Sequence, residues 1–429
     1  MISNLFIFIT YYLLITISVI GYGLFFFSLN KNINISSNYG YAGLTGLLLL
    51  CIYSYISSFI FSHNATHNLV ILIIGLASFL YFVKKEINKE IIIISVLLII
   101  YFFGLLIFKT HDDFPYYHFK YSFYLTQMPS IVGLGNFNLG LRTQSSIFYL
   151  NSLFYLPFIN YFMFQISTFL IFLFANIILI SKILKINLKE KISFLIFFYL
   201  LAFIFINIFF YRFSEHGTDR SAQILIFILI GEILYFANFK HNEKRILSKL
   251  FLLIALIISL KAFYILYLIF FLLIVYNMFK LSNLKTVIFK IFTNVYFYLF
   301  SLLLFSVFSI NFINSGCIIY PVSFTCFDTY SWAIPKIEVT QLNDWYEQWS
   351  KAGATPNFRV ENPEIYIKSF NWVGNWIDEY FFTKVSDYLL GLVLLIIITY
   401  FIFFPYKKII KKDINKVFFT LVIIFLLLF

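Results

Sequence analysis

Two adjacent carboxylates, Asp112 and Asp113, directly follow an apolar run of helix length and open a long polar loop, THDDFPYYHFKYSFYLTQMPSIVGLGNFNLGLRTQSS at 110–146. Carboxylates at a membrane boundary are costly unless used or paired. One can take a proton from an attacking hydroxyl, or hold a divalent ion, while its neighbour orients it. His118 follows closely, and its proton affinity suits exchange near neutral pH, although a lone histidine is more often structural. Further on stands Arg142, whose planar fork matches a phosphate or a carboxylate, so either a bound phosphate or Asp112 or Asp113 is its expected partner. VGLGN at 132–136 lacks the strand–turn–helix setting of a phosphate cradle and reads as a tight turn.

A second polar segment, YRFSEHGTDRSAQ at 211–223, brings Arg212, Glu215, His216, Asp219 and Arg220 close together. It supplies another carboxylate and another phosphate-seeking arginine, or else is a solvated connector whose charges cancel. Lys261 lies inside an apolar stretch at 250–278, where a lysine either snorkels or neutralises an anion in a cavity; mid-stretch, the second is expected.

The elements that must position these residues are membrane helices. The chain of 429 residues is 62% hydrophobic and only 12% charged, with 60 Phe and 32 Tyr, and its mean hydropathy is +0.91. Apolar runs fall at 5–28, 41–62, 68–83, 91–108, 162–180, 192–211, 221–238, 250–278, 291–313 and 387–404. With a last piece at 417–429, these imply an all-α polytopic transmembrane bundle of about 11–13 membrane segments. As a helix, that last piece reaches only about 20 Å, so it stops inside the membrane or the chain is truncated. The first run lacks the features of a cleaved leader and is read as a retained helix.

Lysine and arginine concentrate in 29–40, 84–90, 181–191, 239–249, 279–290 and 405–416, whereas 1–4, 63–67, 110–146, 212–220 and 314–386 hold more acidic than basic residues. By the positive-inside rule the first set is cytoplasmic and both polar loops face the other side. The formal charge of +12 is then a topology signal and gives no nucleic-acid footprint. This assignment requires 250–278 to break near Lys261 and cross twice, or dip and return. Segment 147–158 is expected as a surface-lying or partly inserted helix.

Cys317 and Cys326 flank a turn containing Pro321 in the second large loop. They close a disulfide or remain two free thiols, and a zinc site is not expected, since no second Cys or His pair has ligand spacing. The same loop, 314–386, holds all five tryptophans: Trp332, Trp345, Trp349, Trp372 and Trp376. It reads as a compact aromatic cap whose rings anchor at the headgroups or stack on sugar.

An apolar helix, D-D-x-x-x-Y-H, then P-S-I-V-G-L-G-N, then S-S heading an apolar helix, and later N-x-x-x-S-G-C-x-x-Y-P-V-x-F-T-C-F and W-A-I-P-K, resemble bacterial membrane proteins related to the GT-C glycosyltransferases. The resemblance covers 90–385 with gaps. It implies a first periplasmic loop starting with a functional aspartate, here Asp112 or Asp113, and transfer of a sugar from a polyprenyl-phosphate donor to an envelope glycan or lipid acceptor at the bacterial inner membrane. Three spans precede the helix leading into the acidic loop, where one is usual.

The implied organisation is additional N-terminal helices over 1–89, a GT-C-like core over 90–313, a periplasmic cap over 314–386 and C-terminal segments over 387–429. Asp112, Asp113 and His118 are the catalytic candidates, with Arg142, Glu215, His216, Asp219, Arg220, Lys261 and Tyr320 binding substrate. No cofactor is required; a magnesium or manganese ion on Asp112 and Asp113 is allowed. The competing readings are an O-antigen polymerase or ligase, a lipid-linked glycan transporter and a structural envelope protein. A transporter should show paired broken helices in repeated halves, and only one broken stretch is visible.

Overall fold

The computed structural model describes residues 2–29, 38–83, 89–107, 109–185, 194–239, 243–281, 283–351 and 362–403. Among them every regular element is helical, and β pairing is limited to two isolated bridges, Leu156 with Asn160 and Cys317 with Cys326. Among the described residues, five helical stretches are long and apolar enough, by length and composition, to cross a membrane: Asn4–Leu29, Tyr39–Ser57, Ala65–Phe82, Tyr161–Leu184 and Val295–Ser315. Most of the Lys-rich loop residues, and the apolar tail 417–429, lie outside the described residues.

The chain divides into two compact units, Met1–Ile131 with Gln144–Ile310, and Val132–Thr143 with Asn311–Lys407. The first contains α1 (Ile2–Leu29), α2 (Tyr39–Ser57), α3 (Ala65–Phe82), α4 (Lys89–Leu105), α5 (Phe119–Gln127), α6 (Ser146–Leu153), α7 (Ile166–Lys185), α8 (Phe194–Phe209), α9 (Asp219–Phe239), α10 (Glu243–Leu260), α11 (Leu268–Leu281) and α12 (Leu284–Phe292). The division from the second unit falls within α13 (Val295–Ser315). Asparagines start several helices: Asn38, Asn64 and Asn283 accept hydrogen bonds from the amides of Gly40, His67 and Thr286, satisfying donors the first turn leaves free.

α1 packs against α2 and α3. Gly75 of α3 meets α1 so closely that a Cβ there would lie 2.0 Å from Ser18 Oγ, the small-residue contact by which membrane helices approach. α2 also packs against α6, α7 and α10. The N-terminal helices and the helices that follow them thus belong to one compact unit.

α6, expected as a surface-lying or partly inserted helix, has all eight residues buried within the protein; Ser145 Oγ at its N-cap donates to Leu260 O at 2.6 Å and Ser146 accepts from Ser259 Oγ at 2.9 Å. The broken stretch does break at Lys261, whose backbone is extended (φ −156°, ψ 126°), but the preceding helix begins at Glu243 and runs 18 residues. That is about 27 Å, close to a bilayer core, because Glu243–Lys249, counted as loop, continue the helix. Lys261 consequently stands at a helix end with its side chain half-exposed, and the anion it neutralises is the Asp219 carboxylate.

The second unit also contains α14 (Lys336–Lys351), α15 (Pro363–Tyr366), α16 (Val373–Trp376) and α17 (Ser386–Phe403), with a π-helical stretch at Ile377–Val385. A small core of Cys317, Tyr320, Cys326, Ile334 and Val339 sits under Leu342, and Cys317 and Cys326 are disulfide-bonded. The expected cap over 314–386 thus has a core, but it includes part of the first loop as well: Gly133 N–H donates to Ile313 O at 2.8 Å, and Asn136 Nδ2 to Trp332 O at 2.6 Å. Tyr330 stacks on Trp332 at 4.6 Å, and Trp345 on Trp349 at 6.3 Å.

Candidate functional site

The segment after α4 turns tightly. Asp113 O accepts the amides of Tyr116 and Tyr117 at 3.1 Å each and that of His118 at 3.4 Å, opening the π-helical turn Phe114–His118. A π turn is a costly local geometry found often at functional sites. Here it swings His118 back toward the start of the loop, so that its ring stacks 5.2 Å from that of His111. Asp113 lies between them: its amide donates to His111 Nδ1 at 3.1 Å, its Oδ2 is 3.8 Å from the same nitrogen, and Tyr117 Oη donates to Oδ2 at 3.0 Å. One ligand-capable atom from each of His111, Asp113 and His118 falls within 4.8 Å of the others. His118 is buried, and its Nε2 has no hydrogen-bond partner. Asp112 points to solvent and is not part of this group, so the adjacent carboxylates are separated in space.

The second loop closes over the first. His111 N–H donates to Ser214 O at 3.0 Å, and Gly217 crosses the two imidazoles with φ +52°, where a Cβ would lie 3.0 Å from His111 and 3.3 Å from His118. Only glycine suits that turn, for both its backbone angle and its lack of side chain. Glu215 is the charge centre of this loop, bonded by Arg220 at 2.8 Å, Lys109 at 2.9 Å and Arg212 at 3.3 Å. Burial alone would raise its carboxyl, but Arg220 and Lys109 hold it down at about 2.

His216, expected to bind substrate, faces inward. It is fully buried, its Nε2–H donates to Phe210 O at 2.6 Å, and burial pushes its imidazole down to about 3. It braces the loop against Phe172 and Phe213 and stays neutral.

Asp219 begins α9 and Lys261 follows the end of α10; Nζ donates to the two carboxylate oxygens at 2.9 and 3.1 Å, and Tyr264 Oη adds a bond at 3.3 Å. Burial pushes the His118 imidazole down to about 3, His111 adds to that, and the charges of Asp219 and Lys261 act on it in opposite directions. Asp113, His118, Asp219 and Lys261 therefore belong to one neighbourhood built from three loops.

Arg142 belongs to the second unit and pairs with neither Asp112 nor Asp113. All three of its nitrogens are engaged there: Nε donates to Gly135 O at 3.1 Å, Nη1 to Tyr320 Oη at 3.4 Å, and Nη2 pairs with Glu338 at 2.7 Å. Those bonds hold the guanidinium in its charged form against burial, while burial raises the Tyr320 hydroxyl. The VGLGN turn thus serves Arg142 rather than a phosphate, and Tyr320 and Arg142 brace one another.

Over residues 1–429 the chain matches a family described as a domain of unknown function, DUF8201. The chain belongs to that family. No curated protein and no solved structure matches it.

Sequence reasoning passed over several residues of this family member's site. His111 precedes Asp112 and makes an H-x-D-x-x-x-x-H spacing with Asp113 and His118. Lys109 and Tyr264 carry no spacing signal, whereas Tyr117 stands in the D-D-x-x-x-Y-H pattern. Glu232 did carry one, a carboxylate inside the apolar run 221–238. It is buried, paired with Lys182 at 2.6 Å and Lys249 at 2.7 Å, and bonded by Tyr41 Oη at 2.6 Å.

Proposed function

We propose that this protein is a membrane glycosyltransferase that moves a sugar from a polyprenyl-phosphate donor to an envelope glycan or lipid acceptor at the periplasmic face. The observation that supports it is that His118 is grouped with Asp113 on one side and feels the charges of the Asp219–Lys261 pair on the other, so that carboxylates and a cation surround one buried imidazole near the ends of apolar helices. In this reading Asp113 takes the proton of the acceptor hydroxyl as its oxygen bonds to the anomeric carbon. The bond from that carbon to the phosphate oxygen breaks, and the departing phosphate, which keeps the electron pair, is stabilised by Lys261. Lys261 must leave Asp219 to do so, and the pair is exposed enough for that exchange to cost little. Arg220 stands behind it, already neutralised by Glu215. Arg142 has no role in this step, being fully committed to Glu338, Tyr320 and Gly135. The lipid tail would lie along the apolar helices, and positioning of donor and acceptor supplies much of the acceleration.

The test is reconstitution with polyprenyl-phosphate sugars. Asp113→Asn should abolish turnover and Asp112→Asn should leave most of it. Full activity in Asp113→Asn would remove this carboxylate and leave the polymerase or ligase reading, which needs no base at the first loop. Substrate crossing the bilayer without any new glycosidic bond would favour a transporter.

A further inference from the structure

We propose that His111, Asp113 and His118 form a binding site for a divalent metal ion of the zinc class. Their ligand-capable atoms lie within 4.8 Å of one another, so an ion between them is at most about 2.8 Å from each, against roughly 2.0–2.2 Å in a closed zinc site. Small side-chain rotations close that gap. The buried Nε2 of His118 has no hydrogen-bond partner among the described residues, and a buried polar atom left this way is uncommon unless a ligand completes it. Asp113 is already oriented by Tyr117, the kind of supporting hydrogen bond that metal-binding carboxylates carry. His111 Nδ1 accepts the Asp113 amide at 3.1 Å, so its lone pair faces the group, and a metal takes that lone pair in place of the amide.

Two imidazoles and one carboxylate select the ion. Magnesium prefers oxygen ligands, whereas imidazole suits zinc and its neighbours in the first transition row. Three protein ligands leave a fourth position open, as in catalytic zinc sites. The H-x-D-x-x-x-x-H spacing is not one of the paired Cys or His patterns, which is why the sequence predicts no zinc site; the π turn brings the last histidine back to the first two residues. Two other histidines of the first unit serve as contrast, His63 being bonded at both nitrogens by Ser57 and Ser152 and His67 by Tyr53 and Asn68, whereas His216 also leaves one buried nitrogen unbonded among the described residues but stands apart from any group of ligand-capable side chains.

The inference rests on geometry and not on sugar transfer. The full chain, in detergent, freed of any tag and stripped of metal, is titrated with zinc against a chromophoric chelator and with cobalt followed by visible absorption. Wild type should bind one equivalent, with the d–d bands of a low-coordinate cobalt site. Asp113→Asn should weaken zinc at least tenfold, His118→Ala should remove the equivalent, and His67→Gln should change neither. His118→Cys, which keeps a ligand, should restore binding and add a thiolate-to-cobalt charge-transfer band, so that a poorly folding alanine variant does not decide the matter. Equal zinc affinity in wild type and His118→Ala, or no bound equivalent in folded wild type, overturns the site. Zinc bound without any sugar transfer would leave the site standing and remove the transferase; transfer by a protein that binds no zinc would do the reverse.

Discussion

Asp219 and Lys261, 42 positions apart, meet at 2.9 Å because α9 and α10 form an antiparallel hairpin of nearly matched length. α9 runs 21 residues away from Asp219 and α10 returns over 18, so the end of the second helix comes level with the start of the first. A lysine that reads as intramembrane in the sequence is thereby delivered to the mouth of the hairpin.

That exposed pair should matter more to function than to stability. Both side chains are over two-fifths exposed, so their coupling is worth under about 1 kcal/mol. Lys261→Met should leave the melting temperature nearly unchanged while sugar transfer falls at least tenfold, about 1.4 kcal/mol of barrier. Comparing melting curves with initial rates checks this; equal losses in both would make Lys261 a structural residue.

The buried cluster at Glu232 should behave in the opposite way. Its buried carboxylate neutralises Lys182 and Lys249. Glu232→Ala strands both lysines and should cost about 3–5 kcal/mol, whereas Glu232→Ala combined with Lys249→Met should recover part of the loss. Chemical denaturation in detergent, or thermal inactivation of the folded fraction, measures the difference.

Arg142 anchors the loop 132–143 to α14 through Glu338 and to the disulfide loop through Tyr320. Arg142→Lys removes the fork that reaches three partners at once, so it should be nearly as damaging as Arg142→Ala, each by about 1–3 kcal/mol within this unit. Hydrogen exchange should speed up across 132–143 and 316–342 and stay unchanged around α1–α3. Restoration of protection by lysine would show that charge alone is needed.

Acid should destabilise the first unit. His63 and His216 are buried and neutral, and burial pushes each down to about 3. Between the ordinary histidine value near 6.5 and that lowered value, the unfolded chain binds protons that the folded one refuses, so stability falls as pH drops through this window. Glu215, held at about 2, adds a loss in the same direction once pH falls below the ordinary carboxyl range. Melting temperature recorded from pH 7 to 4 should decline, and His216→Gln, which can still donate to Phe210 O, should flatten the slope.

Much of the helical framework was legible in the sequence. Apolar runs long enough for a bilayer force the backbone to satisfy itself, so helices follow from composition alone. The break at Lys261 and the charged character of 211–223 were visible for the same reason: polar residues are conspicuous in an apolar chain. Helix ends were harder to read, as α10 shows, because Lys244, Arg245 and Lys249 look like loop residues until their partners are known.

What only the tertiary structure decided is which polar residues meet. Sequence named Asp112, Asp113, His118, Arg142, Asp219 and Lys261 together, but the fold turns Asp112 outward, engages Arg142 with Glu338, joins Asp219 to Lys261 and adds His111 to Asp113 and His118. Pairing between distant charges depends on helix length, hairpin register and a π turn, none of which has a strong local code. Burial against water, in contrast, is a property each segment carries by itself, and that is why the sequence alone determined the class of fold and not the membership of the site.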